Sequence, residues 1–377
     1  MSVRMGKMTN EERLQKTIRL EKTDKIPSAP AIMQFAATFA GISQKDYLDP
    51  LKAESAYEKT FSGLGGWDIL INPPWIGGGE PGFALKTLLP GRDLPDDAAS
   101  QICEEEMMLE EDYNFVIMNG FKALRQKLLQ RVRASRNPPQ ERAGLAGEAG
   151  RAGQATTNKW MSRGVAFLTA APTVSHPFEY FSYHRSLARF SLDVHRMSGK
   201  VKSAIQACLP DQISESKKSV EASGCRRVVI ANARGSSMFI NDKQFRDLVL
   251  PSWLEYVYAM SDSNIDVSFH CDTDWLRFLP YFKEFPRGRC LLQLDGATDI
   301  FKAREILKGH MALMGDVPGT LLSLGTPGEV EAYCRKLIQE VGEGGGFVLS
   351  SGCSVPYDAK IENVRAMIRA GNELTWN

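Results

Sequence analysis

Arg227-Val228-Val229-Ile230-Ala231-Asn232, then a helical pattern over Asp242–Met260, then Asp266-Val267-Ser268-Phe269-His270: this stretch carries the plan of the chain. Two short β-rich runs bracket an amphipathic segment, which is how repeated βα units read. The runs lack a clean alternation of apolar and polar residues, as expected when both faces of a strand are covered. Working outward, runs of the same kind recur at Ser28–Gln34, Trp67–Ile71, Val165–Thr169, Cys290–Leu294, Met311–Gly315 and Phe347–Ser350. Helical patterns follow at Asp274–Phe285, Ile300–Leu307 and Pro327–Val341. Eight strands with helices between them predict an α/β fold of the (β/α)8 TIM-barrel kind, with an open doubly wound sheet as the alternative.

Helix punctuation supports the pattern late in the chain. Thr326-Pro327-Gly328-Glu329 sets a capping threonine before a proline at the first helical position, with Glu329 three residues beyond the cap. Gly342 to Gly346 then ends the helix and releases the last strand. The expected organisation is a single barrel domain over 1–377 with a long insertion after the second strand, at about 73–160. The insertion holds the acidic run Glu104–Glu106 and a helix near Glu111–Arg133. Residues 134–157, rich in Gly, Ala, Arg and Pro and without apolar periodicity, read as a mobile surface loop.

Composition narrows the function classes. Lys plus Arg number 46 against 45 Asp plus Glu, a net charge of +1, which offers no footprint for nucleic acid or anionic membrane. Seven cysteines at 103, 208, 225, 271, 290, 334 and 353 lack paired spacing and read as reduced thiols. The start of the chain has no apolar core of signal-peptide length, and no apolar run of about 18 residues occurs. The expectation is a cytoplasmic protein that acts on a small molecule, with a homodimer left open.

In a barrel of this kind the chemistry gathers where strands end and βα loops begin. The polar residues at those points are Gln34, Asn72, Asn232 with Arg234, His270 with Asp272, Asp295, Asp316 and Cys353. Along an extended segment alternate residues share a side, so His270 and Asp272 converge while Cys271 points away. Imidazole and carboxylate at that spacing suit a metal ion, and Cys353 at the end of the eighth strand offers a thiolate as third ligand. A metal-free His–Asp pair fits the same spacing, and Cys353 equally suits a tight turn. Arg234, before Gly235-Ser236-Ser237, suits either a substrate carboxylate or a structural ion pair. Asn72-Pro73-Pro74-Trp75 with Gly77–Gly79 reads as a loop near the mouth, and Trp75 and Trp275 are expected at its rim. His176, His184 and His195 match no ligand pattern and read as surface or helix-packing residues.

Five stretches are more specific: Phe269-His270-Cys271-Asp272-Thr273-Asp274-Trp275, Leu294–Ile300, Met314–Pro318, Leu324–Val330 and Gly346–Pro356. In their order and spacing the chain resembles the uroporphyrinogen decarboxylase family in its broad sense, from about Lys25 onward and more loosely before Ser223. Leu89-Pro90-Gly91-Arg92-Asp93-Leu94-Pro95 also fits one uncharacterised branch. That superfamily includes zinc-dependent methyltransferases that use a corrinoid carried by a partner protein. Their pattern is a His-x-Cys pair after the fifth strand and a second Cys after the eighth. Carried over by position, the resemblance implies zinc ligands at His270 and Cys353, with Asp272 where the first cysteine belongs. It further implies methyl transfer from a small methylated donor, with Asp295 or Asp316 as proton donor and Arg234 as a clamp for a donor carboxylate. Exchange of a thiolate for a carboxylate favours an ether or amine donor over a thiol. The decarboxylase branch needs arginines after the first strand to hold a polycarboxylate, and Ala31–Phe39 contains none. Tetrapyrrole decarboxylation is therefore the alternative, and a non-catalytic barrel that binds a corrinoid or tetrapyrrole is a third reading.

Overall fold

Two apolar layers, each fed by alternate residues of the same strands, organise the structure. It is a computed structural model that describes residues 8–72, 85–135, 155–170 and 174–374. Its parallel strands are β1 (Ile69–Leu70), β2 (Ala166–Phe167), β3 (Val174–Ser175), β4 (Arg227–Asn232), β5 (Asp266–Cys271), β6 (Cys290–Leu294), β7 (Ala312–Val317) and β8 (Phe347–Ser351). Ladders join β3 through β8 in sequence order, and a separate ladder joins β1 to β2. The Ser28 segment links the two sets. Ala29 donates its N–H to the Leu349 carbonyl, Leu349 donates to Pro27, and Ile69 donates to Ser28. This is the strand order of the (β/α)8 TIM barrel.

The inner layer comprises Ile69, Ala166, Leu168, Val229, Leu291, Ala312, Met314 and Val348. Their neighbours one residue along, among them Leu70, Phe167, Val228, Phe269, Leu292, Leu313 and Leu349, belong to the outer layer beneath the helices. The period of two along each strand therefore sorts side chains to the inside or the outside of the ring. Leu14 and Ile18 join the inner layer from the helix Asn10–Ile18. That helix covers the end where the strands begin: Arg13 pairs with Asp68, Arg19 with Asp266, and Arg227 with Glu11.

The capping box at Thr326 forms as expected, with Pro327 at the first helical position. Other expectations need correction. The Ser28–Gln34 run contributes one isolated bridge, Ser28 to Leu349, because Phe35–Ala40 turns helical directly after it. The seventh strand runs on past Gly315 to Val317. The segment expected as a helix from Asp274 is a 3-10 helix over Leu276–Glu284, where Pro280 removes a donor. Elements that the sequence reading left out include β3, two residues long, and the helices Pro50–Gly63, Leu187–Arg196 and Ser198–Ser223. The insertion holds an antiparallel ribbon, Lys86–Leu88 with Gln101–Cys103, and the helix Glu111–Ser135, interrupted at Gly120. Most of the 134–157 segment lies outside the described residues, but its end does not, and residues 155–162 are helical with Thr156 and Thr157 buried.

Candidate metal centre at the strand ends

β5 brings its alternate residues Asp266, Ser268 and His270 to the same side as Val229 and Ala231 of β4, the inner side of the ring. His270 is the last of them and sits at the mouth. Cys271, one residue on, is fully buried in the outer layer. The chain then bends so that Asp272 returns beside His270, with its Oδ1 3.2 Å from His270 Nε2. Cys353 Sγ lies 3.5 Å from the same nitrogen. The three donor atoms all lie within 4.8 Å of one another.

Each member is held by neighbours. The Asp272 N–H donates to the Asn232 carbonyl, and its own carbonyl accepts the Trp275 indole N–H at 2.7 Å. Thr273 takes a left-handed backbone with φ of 71°, and its N–H donates to Asp295 Oδ2 at 2.8 Å. Asp295 thus pins the turn that aims Asp272; its other oxygen accepts the Ala297 N–H. Gly352, just before Cys353, donates its N–H to Val317. A Cβ on Gly352 would meet the Asp295 carbonyl oxygen at 2.3 Å, so only glycine lets these two loops approach. Ser351 Oγ accepts the Ala31 N–H and donates to the Cys353 carbonyl, which ties the thiol-bearing turn to the first strand segment.

Burial works to lower the His270 imidazole, but its bonds to Asp272 and Cys353 hold it well above its ordinary value. Burial works to raise the Asp272 carboxyl, and the His270 bond carries it below the usual carboxylate range. The imidazole is thus the common hydrogen-bond partner of the carboxylate and the sulfur. A divalent cation satisfies the same three atoms once the imidazole proton leaves. Tetrahedral zinc with ligand distances of about 2.0–2.3 Å spaces its donors by about 3.3–3.7 Å, which these separations approach. The donor set of imidazole, carboxylate and thiolate fits zinc and leaves a fourth position.

The other expected residues have different neighbourhoods. Asp316 is buried and accepts the Tyr333 hydroxyl at 2.7 Å, from the helix Pro327–Lys336; burial pushes its carboxyl up to about 6. The Arg234 guanidinium donates to Glu104 at 2.6 Å and to the Ser182 carbonyl, and lies 4.0 Å above the Tyr183 ring. Asn232 is buried and donates to the Ile230 carbonyl. Gln34 stands at the start of the helix Phe35–Ala40, where its carbonyl accepts from Gln44. Asn72 ends a described stretch, and Trp75 with the glycine triplet lies outside the described residues. Trp275 is not at the rim: it is fully buried and stacks on Trp253 at 5.5 Å. Of the three histidines, His195 is exposed, His176 caps the helix Pro177–His184 and His184 stacks on Tyr180.

One residue near the trio went unnoticed in the sequence. Glu179, 3% exposed in the helix Pro177–His184, accepts the backbone N–H groups of Ala233 and Arg234 just beyond β4. Burial pushes its carboxyl up to about 7, the two N–H groups pull it down, and the Asp272 charge adds to the rise. A lone acid in the apolar run Pro177-Phe178-Glu179-Tyr180-Phe181 was the available signal. The sign of its effect on stability follows from linkage. Glu179 favours the fold fully below its ordinary value, and that contribution is lost as pH rises through about 7. Denaturant unfolding of the parent chain between about pH 5 and about pH 8 should therefore show a decline that Glu179→Gln makes shallower. Identical slopes for the two proteins would show that Glu179 stays ionised throughout.

This geometry marks a TIM barrel with a candidate metal centre at the carboxyl ends of its strands. The chain belongs to the uroporphyrinogen decarboxylase (URO-D) family, whose family model matches residues 172–374, more than half of its length and the part that holds all three donors. A methylated-thiol–coenzyme M methyltransferase from Methanosarcina mazei is 27% identical over 153 residues, 40% of this chain and 39% of that protein. A uroporphyrinogen decarboxylase from Methylococcus capsulatus is 36% identical over 88 residues, 23% of this chain and 25% of that protein. The matched stretches thus span about two fifths and a quarter of those curated relatives. A solved methyltransferase structure from Methanosarcina mazei superposes with a TM-score of 0.69 over 97% of this chain and 99% of that one, at 16% identity, which is a likeness of fold.

Proposed function

We propose that the protein is a zinc-dependent methyltransferase that moves a methyl group from a small methylated donor, an ether or amine in preference to a thiol, to a corrinoid carried by a separate protein. The observation that carries this reading is the convergence of His270, Asp272 and Cys353 on one point at the barrel mouth. The likeness to a methylated-thiol–coenzyme M methyltransferase supports the reaction class. The arginine-free stretch Ala31–Phe39 weighs against a polycarboxylate substrate. A cytoplasmic setting belongs to the proposal and is supported by seven free cysteines. Among the described residues no helix is long and apolar enough to cross a membrane.

When bound, zinc supplies Lewis acidity at the heteroatom that the methyl group leaves. The residues of the chain do the rest. His270 and Cys353 fix the position of the heteroatom, and Asp272, in place of a second thiolate, keeps electron density at the site low. Asp295 holds the 272–275 turn in register through Thr273. The leaving heteroatom would take the bonding pair and a proton, and a reduced corrinoid on the partner would supply the pair for the new bond to carbon. Glu179 and Asp316 are the carboxyls that burial pushes towards neutrality, up to about 7 and about 6. Glu179 is favoured because the Asp272 charge is felt at its carboxyl and helps it hold the proton. Arg234 orients a donor carboxylate in place of Glu104, its present partner.

The mouth is suited to a docking protein. Met33, Met238, Phe239, Leu324 and Tyr357, from loops after four different strand segments, are exposed. The test mixes the protein with cob(I)alamin and a panel of aryl methyl ethers, methylamines and methyl thiols under anaerobic conditions, and follows methylcobalamin by absorbance. Methylation from an ether or amine supports the proposal. No methylation by zinc-loaded protein, together with decarboxylation of uroporphyrinogen, moves the assignment to the decarboxylase reaction. Failure of both reactions leaves the binding-protein reading.

A further inference from the structure

At the opposite end of β5 from His270, a cavity of about 310 Å³ opens between the helix Asn10–Ile18 and the starts of β4 and β5. Asp266 marks that end of the strand, four residues and roughly 13 Å from His270. The charged lining consists of Lys16, Arg19, Arg226 and Arg227 against Glu21 and Asp266. Four cations face two carboxylates. Extending the boundary to the partners of these groups adds Glu11, bonded to Arg227, and Arg289, paired with Asp266, which makes five against three. The lining itself carries a surplus of two positive charges, and Glu12, which feels the Lys16 charge, brings the wider set to five against four.

The donors of this cavity are only partly used. Arg227 is taken up by Glu11 and the Phe167 carbonyl. Arg19 donates through Nη1 alone, to Asp266 and the Gly288 carbonyl. Arg226 donates through Nε and Nη2 to the carbonyls of Asn264 and Ser263. Among the described residues this leaves Arg19 Nε and Nη2, Arg226 Nη1 and the Lys16 ammonium without hydrogen bonds. Burial pulls the Arg289 guanidinium below its ordinary value, Asp266 opposes the change, and the Arg19 and Arg226 charges add to it.

We propose that this cavity binds a divalent oxyanion of the phosphate type, either inorganic phosphate or the phosphate group of a small monoester. A dianion neutralises the surplus. Guanidinium groups match its oxygens through paired N–H donors, and Lys16 adds a point charge. The volume leaves room beyond a phosphate group for the remainder of a small ester. The bound anion joins the end of the N-terminal helix to the strand starts that the helix covers, so it stabilises the barrel by linkage. This inference concerns a site remote from the metal centre and does not rest on the methyl-transfer reading.

Isothermal titration calorimetry in phosphate-free buffer tests it, with inorganic phosphate and glycerol phosphate as probes and nitrate as a monovalent control. Saturable one-site binding of at least one phosphate probe at millimolar concentration or below is expected, with nitrate about tenfold weaker or worse. The melting temperature should rise with the bound probe. Lys16→Ala and Arg226→Ala each weaken binding about tenfold while melting like the parent in the absence of phosphate, which separates lost binding from lost folding. Tighter binding of glycerol phosphate identifies the ligand as a monoester, and equal binding identifies it as inorganic phosphate. Absence of saturable binding, or affinities unchanged in both variants, overturns the proposal.

Discussion

His270→Ala is expected to take bound zinc from about one ion per chain to background and to slow methyl transfer by about 10²–10³-fold. The imidazole nitrogen is the common neighbour of the other two donors, 3.2 Å from Asp272 and 3.5 Å from Cys353. Removing it leaves a carboxylate and a thiol with nothing between them, too few ligands for a retained ion. Lewis acidity at a leaving heteroatom is worth several kcal/mol, and about 1.4 kcal/mol corresponds to a factor of ten in rate. Cys353→Ser should lose zinc as well, because a hydroxyl is a poor replacement for a thiolate. Asp272→Cys, by contrast, puts a second thiolate in place of the carboxylate and should keep zinc while shifting preference towards thiol donors. Zinc content by elemental analysis and methylcobalamin formation read out all three. A His270→Ala protein that keeps parental zinc places the metal elsewhere.

Trp275→Ala is expected to destabilise the fold by about 3–5 kcal/mol, the range for emptying a buried aromatic site. The indole is fully buried, stacks on Trp253 and has edge contacts with Phe245 and Phe282. Its N–H is also the donor to the Asp272 carbonyl, so the same change frees the turn that aims a proposed ligand. Zinc affinity should fall about tenfold or more, as it does when an outer support of a metal site is removed. Trp275→Phe separates the two effects: packing is largely kept, the hydrogen bond is lost, and zinc affinity should drop with a smaller loss of stability. Chemical denaturation and competition with a zinc chelator measure them independently. Parental zinc affinity in both variants would detach Trp275 from the site.

The sequence made the trio legible for a local reason. Residues two apart on a strand share a side, which placed His270 with Asp272 and turned Cys271 away; the strand ends at Cys271, and the bend after it brings Asp272 to 3.2 Å from His270. Cys353 was visible as a strand-end residue, but its distance to His270 depends on the close approach of Gly352 to Asp295, a contact between loops that no local pattern encodes. Glu179 was hidden for a similar reason. Its environment is set by the backbone of Ala233 and Arg234, more than fifty positions along the chain. Arg234 was found as a candidate, but its partner Glu104 lies 130 positions away in the insertion. Trp275 was placed at the rim, whereas the cluster around Trp253 draws it inward through contacts that no local pattern encodes. Seven of the eight expected strand positions hold ladder strands because βα repetition is written in the apolar runs, and the Ser28–Gln34 run keeps one bridge. β3 was missed because Val174–Ser175 has no apolar run around it.

The most direct measurement is zinc X-ray absorption spectroscopy on parent protein purified without chelator, with elemental analysis of the same sample. The account predicts close to one zinc per chain and a first shell of one sulfur at about 2.3 Å with nitrogen and oxygen ligands at about 2.0–2.2 Å. Protein that takes up no zinc when it is supplied, or a zinc shell without sulfur, would contradict it.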